Sequence, residues 1–128
     1  MKVKCRTVIT IFCLLMCCSF ATPKTGDGEV PGNWTATYYG NTYKAVRHTA
    51  NGDVFNKNAM TCATPKRFKF GTKLRITNVK NGKSIIVTVT DRGANDLHGN
   101  TIDLTHGAFA KIATHKEGRV KVKVEVVK

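Results

Sequence analysis

The fold is decided by residues 73–93, which read KLRITNVKNGKSIIVTVTDRG. Two runs rich in β-branched residues flank Asn81-Gly82, a dipeptide that accepts the positive φ angles of a tight turn. This arrangement predicts an antiparallel hairpin. The second run leads directly into Asp91, so the hairpin carries an acidic side chain at its far end.

Other segments also favour strands. Residues 34–39 are aromatic and β-branched, and residues 102–104 place an aspartate within an apolar run. Strict alternation over 119–127 predicts a strand whose buried face is formed by Val120, Val122, Val124 and Val126. Thr105 is a candidate N-cap for one short helix near 105–113. Many short strands with a single helix predict a small closed barrel, which leaves no strand edge exposed.

The N-terminus has the pattern of a secretory signal peptide. A basic start is followed by an apolar run over 7–20, and small residues at 19 and 21 fit cleavage after Ala21. An N-terminal membrane anchor is the alternative, but the run is shorter than the roughly 20 apolar residues that a span needs. We therefore expect a signal peptide over 1–21 and a secreted protein, extracellular or, in a bacterium, periplasmic or associated with the cell wall.

Cleavage would leave 107 of the 128 residues, enough for one small domain and not for two. Residues 22–33 are polar and contain proline and glycine, which predicts a flexible lead-in to a domain over 34–128. Four of the five cysteines leave with the signal, so no internal disulfide is possible. The remaining Cys62 lies among apolar residues and is predicted to be a buried, inert thiol rather than a nucleophile or an intermolecular bridge.

The chain is strongly basic, with 21 Lys and Arg against eight Asp and Glu. Removal of the signal leaves 18 cations, a net charge of +10, which favours binding to polyanions such as cell-wall polymers, although solubility alone is an alternative. No aromatic-basic interleaving or cationic amphipathic helix favours nucleic acid or membrane as the specific partner. The four histidines lack metal-ligand spacing, so we expect no metal and no cofactor. We expect a monomer.

Acidic residues are scarce, so Asp91 and Asp103, each beside an apolar run, are the first candidates for chemistry. Asp91 has two alternatives: a turn aspartate bonded to its own loop, or an ion pair with Arg92. Asp103 has the alternative of a structural carboxylate at the helix start. Together they could also form a hydrolase pair, since inverting enzymes hold their carboxyls roughly 6.5–9.5 Å apart and retaining ones about 5 Å. The sequence leaves both spacings open.

Seven short segments resemble the rare lipoprotein A family in order and spacing. They are ATYYG at 36–40, TANGDVF at 49–55, AMT at 59–61, FGT at 70–72, VKNGK at 79–83, VTDRG at 89–93 and IDLT at 102–105. The resemblance covers the chain from about Trp34 to Lys128. It implies an all-β fold, a six-stranded double-psi β-barrel with one short helix, which is shared with the first domain of expansins.

The resemblance also implies work on cell-wall glycan. Active members of the family are lytic transglycosylases, which cleave peptidoglycan without water and leave anhydro-muramic ends. Asp91 matches their general acid and base, and Asp103 matches the expansin aspartate required for wall loosening. The residues expected to contact the glycan are Thr37, Tyr38, Tyr39, Asp53, Arg92 and His48. The expected partner is therefore peptidoglycan or a similar acidic cell-wall polysaccharide.

Two positions depart from the family pattern. Asp53 replaces a glutamate, which shortens a carboxylate arm. Thr64 lies near the position where active members carry a histidine after the Ala-Met-Thr segment, and His48 could approach from a neighbouring turn instead. Two hypotheses follow: a secreted protein that binds and cleaves peptidoglycan with Asp91 as acid and base, or a non-catalytic, expansin-like polysaccharide binder that loosens the wall.

Overall fold

A computed structural model describes residues 28–42, 45–93 and 100–128. These residues form six strands, one short α-helix and one 3₁₀ turn. The elements are β1 (Glu29–Tyr39), β2 (Thr61–Thr64), β3 (Lys73–Asn78), β4 (Ser84–Arg92), β5 (Thr101–Thr105), α1 (His106–Ala110), the 3₁₀ turn (His115–Glu117) and β6 (Val120–Val127). The predicted all-β fold with one small helix is confirmed.

The strands close into a barrel in the order β1-β5-β2-β4-β3-β6. The β1–β5 and β2–β4 pairs are parallel, whereas the other pairs are antiparallel. The double-psi barrel expected from the resemblance is confirmed. Because the last strand pairs with the first, the barrel has no open edge at which another chain could add a strand.

The predicted hairpin is formed by β3 and β4, which pair from Lys73 with Thr88 to Thr77 with Ser84. Gly82 in the connecting turn has φ +76°, a conformation that glycine adopts without strain. Alternate residues of each strand point inward and fill the core. The largest fully buried side chains include Trp34, Leu74, Ile76, Val87, Val89, Ile102, Leu104, Phe109, Ile112 and Val124. Each buried aliphatic side chain contributes about 1.5–3 kcal/mol.

The helix begins where the sequence predicts. The Thr105 hydroxyl accepts a hydrogen bond from the Ala108 N–H at 3.1 Å, as an N-cap does. The helix ends at Ala110 rather than near 113, because the chain tightens into a turn in which the Ile112 and Ala113 N–H groups both donate to the Phe109 carbonyl. One helical turn is enough to cover the barrel with Phe109, which is fully buried.

His106, the first residue of the helix, stacks on His115 of the 3₁₀ turn. The imidazoles of His106 and His115 lie 3.7 Å apart at 11°, and His115 Nε2 is 2.9 Å from the His106 carbonyl oxygen. Burial, together with the charges of His115 and Lys57, lowers the pKa of His106 below its ordinary value. The folded protein therefore favours the neutral form of His106.

Two features differ from the sequence expectations. β1 begins at Glu29, so residues 29–33 belong to a strand rather than to a lead-in, because Val30 pairs with Val124 and is partly buried. The expected signal peptide lies outside the described residues. The four-residue β2 was not predicted, since so short a run before Pro65 has no distinct pattern.

Cys62 is a buried thiol, as predicted, and is fully enclosed in the core. Burial raises its pKa far above the ordinary value, and the nearby Asp103 charge adds to the effect. An un-ionised, enclosed thiol is a poor nucleophile. Separately, none of the described helices is long and apolar enough to cross a bilayer.

Candidate functional site

Four residues form one row across four neighbouring strands. Thr37 of β1 is paired with Asp103 of β5, Asp103 with Ala63 of β2, and Ala63 with Asp91 of β4. On the first three of these strands, the flanking residues point into the core, so the row lies on the outer face of the barrel. The two aspartates are thus separated by strand β2, which contributes only the methyl group of Ala63 to the row.

A β-bulge explains why Asp91 faces outward. Val89 is paired with Cys62, but Asp91 is paired with the very next residue, Ala63, so Thr90 is an extra residue in β4. In a regular strand Asp91 would point to the same side as Val89, into the core. One inserted residue reverses the alternation and turns the carboxylate to the surface. Thr90 itself is buried, and its hydroxyl has no partner among the described residues.

The Asp91 carboxylate is held by three hydrogen-bond donors. Oδ2 accepts from the Tyr39 hydroxyl at 2.9 Å, and Oδ1 accepts from the N–H groups of Ala50 and Arg92, each at 2.9 Å. Only the Arg92 bond is local, as in the turn-aspartate alternative. The donors from β1 and from the 49–53 loop bring two distant segments onto this side chain, which fixes its orientation in the site.

Asp103 is held differently. The Thr37 hydroxyl donates to its Oδ1 across the β1–β5 pair. Gly93, just past β4, packs against the same carboxylate: a Cβ at this position would lie 3.2 Å from Asp103 Oδ2 and 3.4 Å from the Ala63 methyl carbon. Glycine therefore allows the end of β4 to pass close to both residues. The helix cap is provided by Thr105.

The row opens into a cavity of about 240 Å³. Its lining residues are Tyr39, Arg47, His48, Phe55, Ala63, Asp91, Arg92, Gly93 and Asp103. Because two strand spacings separate Asp91 from Asp103, their backbones lie roughly 10 Å apart. This width leaves room between the carboxylates for part of a bound ligand, with Ala63 as the floor.

Arg92 lines the cavity but does not pair with Asp91. Its guanidinium carbon lies 4.0 Å from the centre of the Phe70 ring, and Nη1 donates to the Thr64 hydroxyl at 3.2 Å. Thr64, near the position of the family histidine, is fully buried and donates its own hydroxyl proton to the Pro65 carbonyl. Thr64 thus presents no group to the cavity.

The segment between β1 and β2 supplies the opposite wall. His48 forms an isolated bridge with Val54, and the Phe55 N–H donates to the Arg47 carbonyl at 2.7 Å. This short pairing places the exposed His48 in the cavity, as the sequence suggested, together with Arg47 and Phe55, which it did not single out. The Phe55 ring lies 5.3 Å from that of Tyr39. Phe55 lies in the TANGDVF segment, which resembles the family, and this resemblance was the sequence signal that could have identified it as a site residue.

Tyr38 was expected at the glycan site, but the structure places it elsewhere. Strand alternation turns it away from Thr37 and Tyr39, and its ring lies 4.9 Å from Phe109 and 4.7 Å from His115. Its hydroxyl donates to the His115 carbonyl at 3.2 Å. Tyr38 therefore supports the helix, and Tyr39 is the tyrosine of the cavity.

Asp53 is also outside the cavity lining. Its carboxylate accepts a hydrogen bond from the Asn51 side chain at 3.1 Å, and its N–H donates back to that side chain at 3.0 Å. The exposed residue closes its own turn, which is the ordinary role of aspartate after Asn-Gly. In the described part of the chain, no group of three potential metal ligands is present.

A closed six-stranded barrel with this strand order defines a double-psi β-barrel protein, and its outer row of two separated aspartates is a candidate functional site. Residues 33–124 match the family model described as lytic transglycolase. The chain belongs to this family, in its rare lipoprotein A branch.

Two curated relatives illustrate the match. A probable endolytic peptidoglycan transglycosylase RlpA of Synechocystis sp. is 40% identical over 92 residues, which cover 72% of this chain and 28% of the relative. The endolytic peptidoglycan transglycosylase RlpA of Neisseria meningitidis serogroup A is 37% identical over 107 residues, covering 83% of this chain and 43% of the relative. The match thus spans less than half the length of either relative.

Solved structures support the same fold. The apo expansin of Clavibacter michiganensis superposes with a TM-score of 0.60 at 19% identity, covering 75% of this chain and 50% of the expansin. A variant of that expansin, solved in complex with cellohexaose, has a TM-score of 0.58 at 20% identity over the same shares. At this level of identity the likeness concerns the barrel alone.

Proposed function

We propose that this chain is a secreted, monomeric protein that binds a peptidoglycan strand at the Asp91–Asp103 row and cleaves it as a lytic transglycosylase. The observation that carries the proposal is the bulge at Thr90, which turns Asp91 out of the core into a cavity. Three donors then hold the carboxylate in place. Membership of the lytic transglycolase family and relatives named as peptidoglycan transglycosylases support the substrate and the reaction.

The proposed reaction uses Asp91 twice. Protonated Asp91 donates its proton to the glycosidic oxygen while the bond from the anomeric carbon of the muramic residue to that oxygen breaks. The C6 hydroxyl of the same residue then forms a bond to the anomeric carbon and gives its proton to Asp91. The proton balance closes, no water is consumed, and the product carries a 1,6-anhydro ring.

The other cavity residues have supporting roles in this proposal. Asp103, held by Thr37, provides a negative charge for the positive charge that develops at the anomeric carbon. Tyr39 and Phe55 provide an aromatic wall against which a sugar ring packs. Arg47, His48 and Arg92 provide positive or hydrogen-bonding groups for the carboxylates of the glycan and its peptides.

Product analysis tests the proposal. Purified peptidoglycan is digested with the wild-type chain, with Asp91→Asn and with Asp53→Asn, a matched control because Asp53 lies outside the cavity. We expect anhydro-muropeptides from the wild type and the control, and a loss on the order of a hundredfold or more in Asp91→Asn. Equal yields from Asp91→Asn would remove Asp91 from the reaction, and reducing ends instead of anhydro ends would indicate hydrolysis.

A second candidate function is non-catalytic binding with loosening of the wall. It is favoured by Thr64, which is buried and bonded to Arg92 where active relatives were expected to offer a histidine. In that case wild type and Asp91→Asn would sediment equally with insoluble peptidoglycan or cellulose, and neither would create new chain ends. Loss of binding in Tyr39→Ala would assign that binding to the same cavity.

A further inference from the structure

Two further cavities lie near the β3–β4 turn, toward the Ser84 end of β4. They have volumes of about 320 and 330 Å³ and share two lining residues, Val79 and Lys121. β4 runs from Ser84, beside these cavities, to Asp91 in the candidate active site. Seven residues at about 3.3 Å each place the two regions roughly 23 Å apart. A small ligand in one is therefore not in contact with the other.

The backbone creates a hollow on each side of Lys121. On one side the β1–β6 register shifts between Val30 and Trp34, so residues 31–33 bulge away from β6 and leave a gap in the ladder. On the other side the β3–β4 turn leans over β6, with the Val79 N–H donating to the Lys121 carbonyl at 3.1 Å. These hollows are parts of the fold rather than gaps between loose side chains.

The side chains around the hollows are mainly cationic. Lys80, Arg119, Lys121 and Lys123 line them and are all exposed. None of the four is within ion-pair distance of an acidic residue that the structure describes, although the charge of Lys80 helps to lower the pKa of Glu117. Val79, 64% exposed, lies among them. We call these five residues the basic notch.

Acidic side chains near the basic notch are few, and two of the three are already engaged. Glu117 accepts hydrogen bonds from the N–H and hydroxyl of Thr114, which cap the 3₁₀ turn. Glu125, further along β6, forms an ion pair with Arg75 at 3.7 Å. Glu29 lines the β1 side of one hollow. The hollows therefore present more positive than negative charge, and the surplus lies around Val79 and Lys121.

We propose that the basic notch is a second binding site, for an anionic cell-wall polymer that carries phosphate or carboxylate groups at intervals. Lys121 and Lys123 are two residues apart on one strand, so their backbones are about 7 Å apart, which favours repeated charges over a single small anion. The exposed Val79 offers an apolar contact between the charges. The site itself does not depend on cleavage at Asp91, but the choice of a wall polymer over other polyanions rests on the proposed function.

The test compares two variants of the full chain that each lose three positive charges. One is Lys80→Gln/Lys121→Gln/Lys123→Gln, in the notch. The other is the control Lys66→Gln/Lys69→Gln/Lys73→Gln, whose three lysines are exposed and line neither cavity. The affinities for polyphosphate, polygalacturonate and duplex DNA are measured by fluorescence titration over a range of salt concentrations. Thermal unfolding confirms that both variants are folded.

We expect the notch variant to lose on the order of tenfold or more in affinity for a wall-type polyanion, with a weaker salt dependence, while the control changes little. A loss confined to polyphosphate would assign phosphate as the ligand chemistry, and a loss confined to polygalacturonate would assign carboxylate. Equal losses in both variants would reduce the effect to net charge and overturn the proposal. If DNA binding is weakened in the notch variant and the wild type binds DNA more tightly than polyphosphate or polygalacturonate, the choice of a wall polymer as ligand would be overturned.

The same measurements on Asp91→Asn separate this proposal from the proposed function. Asp91→Asn should bind each polyanion as the wild type does, whether or not the wild type cleaves peptidoglycan. A chain that binds at the notch without cleaving would contradict only the proposed reaction. If the protein cleaves peptidoglycan and the two triple variants have equal cleavage rates and equal polyanion affinities, only the notch proposal would be contradicted.

Discussion

The two ends of β4 differ in charge and in construction: the Asp91 end combines two aspartates with Arg47 and Arg92, whereas the Ser84 end carries mainly cations. At the Asp91 end, acidic side chains are partly buried and each accepts hydrogen bonds from other strands or loops. At the Ser84 end, the cations of the basic notch are exposed and have no ion-pair partners among the described residues. The first region depends on exact backbone register, whereas the second depends on the number of charges. Substitutions should therefore have position-specific effects at the first region, and salt-dependent effects that accumulate with the number of charges removed at the second.

Insertion of one alanine between Cys62 and Ala63 should have the largest effect. The added residue would lie opposite Thr90 and remove the bulge, so regular alternation would point Asp91 toward the core, where an unpaired charge is strongly unfavourable. We expect cleavage or glycan binding to be lost, and the free energy of unfolding to fall by about 3 kcal/mol or more. Chemical denaturation and product analysis measure the two effects. An insertion variant that keeps wild-type stability and activity would show that the bulge does not orient Asp91.

Removal of one donor to Asp91 should have an intermediate effect. Tyr39→Phe keeps the ring in the cavity but removes the hydroxyl that donates to Oδ2. This bond fixes the position of the Asp91 carboxyl group, and small misplacements of a catalytic group are costly, so we expect the cleavage rate to fall by about tenfold or more. Tyr38→Phe is the matched control, because its hydroxyl is bonded beside the helix. Equal losses in both would mean that the effect is not specific to the cavity.

Thr90→Val should stabilise the protein slightly. The substitution keeps the bulged residue but replaces a buried hydroxyl that has no described partner with a methyl group of similar size. Burying an unpaired hydroxyl costs about 1–3 kcal/mol, so we expect a gain of roughly 1 kcal/mol in unfolding free energy, with activity unchanged. Urea denaturation measures the gain. A clear loss of stability would show that the hydroxyl is satisfied, for example by water.

The smallest effect concerns pH and lies outside both regions. Burial and the charges of His115 and Lys57 lower the pKa of His106, so the unfolded chain binds the proton more readily than the folded one. The stabilisation is complete above the unfolded pKa of about 6.5 and is lost as pH falls below it. The urea midpoint should drop less in His106→Gln than in wild type on going to about pH 5. Equal slopes in His106→Gln and wild type would contradict the proposed contribution of His106.

Much of the barrel follows from local sequence. The Asn81-Gly82 hairpin, the alternating valines of β6 and the Thr105 cap are each encoded within a few residues, and the structure confirms all three. The same alternation applied to β1 would have placed Tyr38 correctly, since it follows Trp34 and Ala36 on the buried face. Two adjacent tyrosines concealed that pattern, because both are equally suited to a sugar-binding wall.

The parts that the sequence did not predict depend on pairing between distant segments. The bulge at Thr90 has no signature in composition, because it exists only relative to the register of β2. The bulge exposes Asp91. This residue was already predicted to belong to the site, but for reasons unrelated to the bulge. Similarly, Arg47 reaches the cavity through the pairing of His48 with Val54, which joins residues that no local pattern connects. The hollows of the basic notch also require the interruption of the β1–β6 ladder.

Digestion of peptidoglycan in water enriched in heavy oxygen would test the role of Asp91 in a single reaction. If Asp91 both protonates the leaving oxygen and accepts the proton of the C6 hydroxyl, the new ends are anhydro rings with no heavy oxygen, and Asp91→Asn does not form them. New ends that contain heavy oxygen would mean that water attacks the anomeric carbon. Unlabelled anhydro ends formed equally by Asp91→Asn would mean that another group carries the proton.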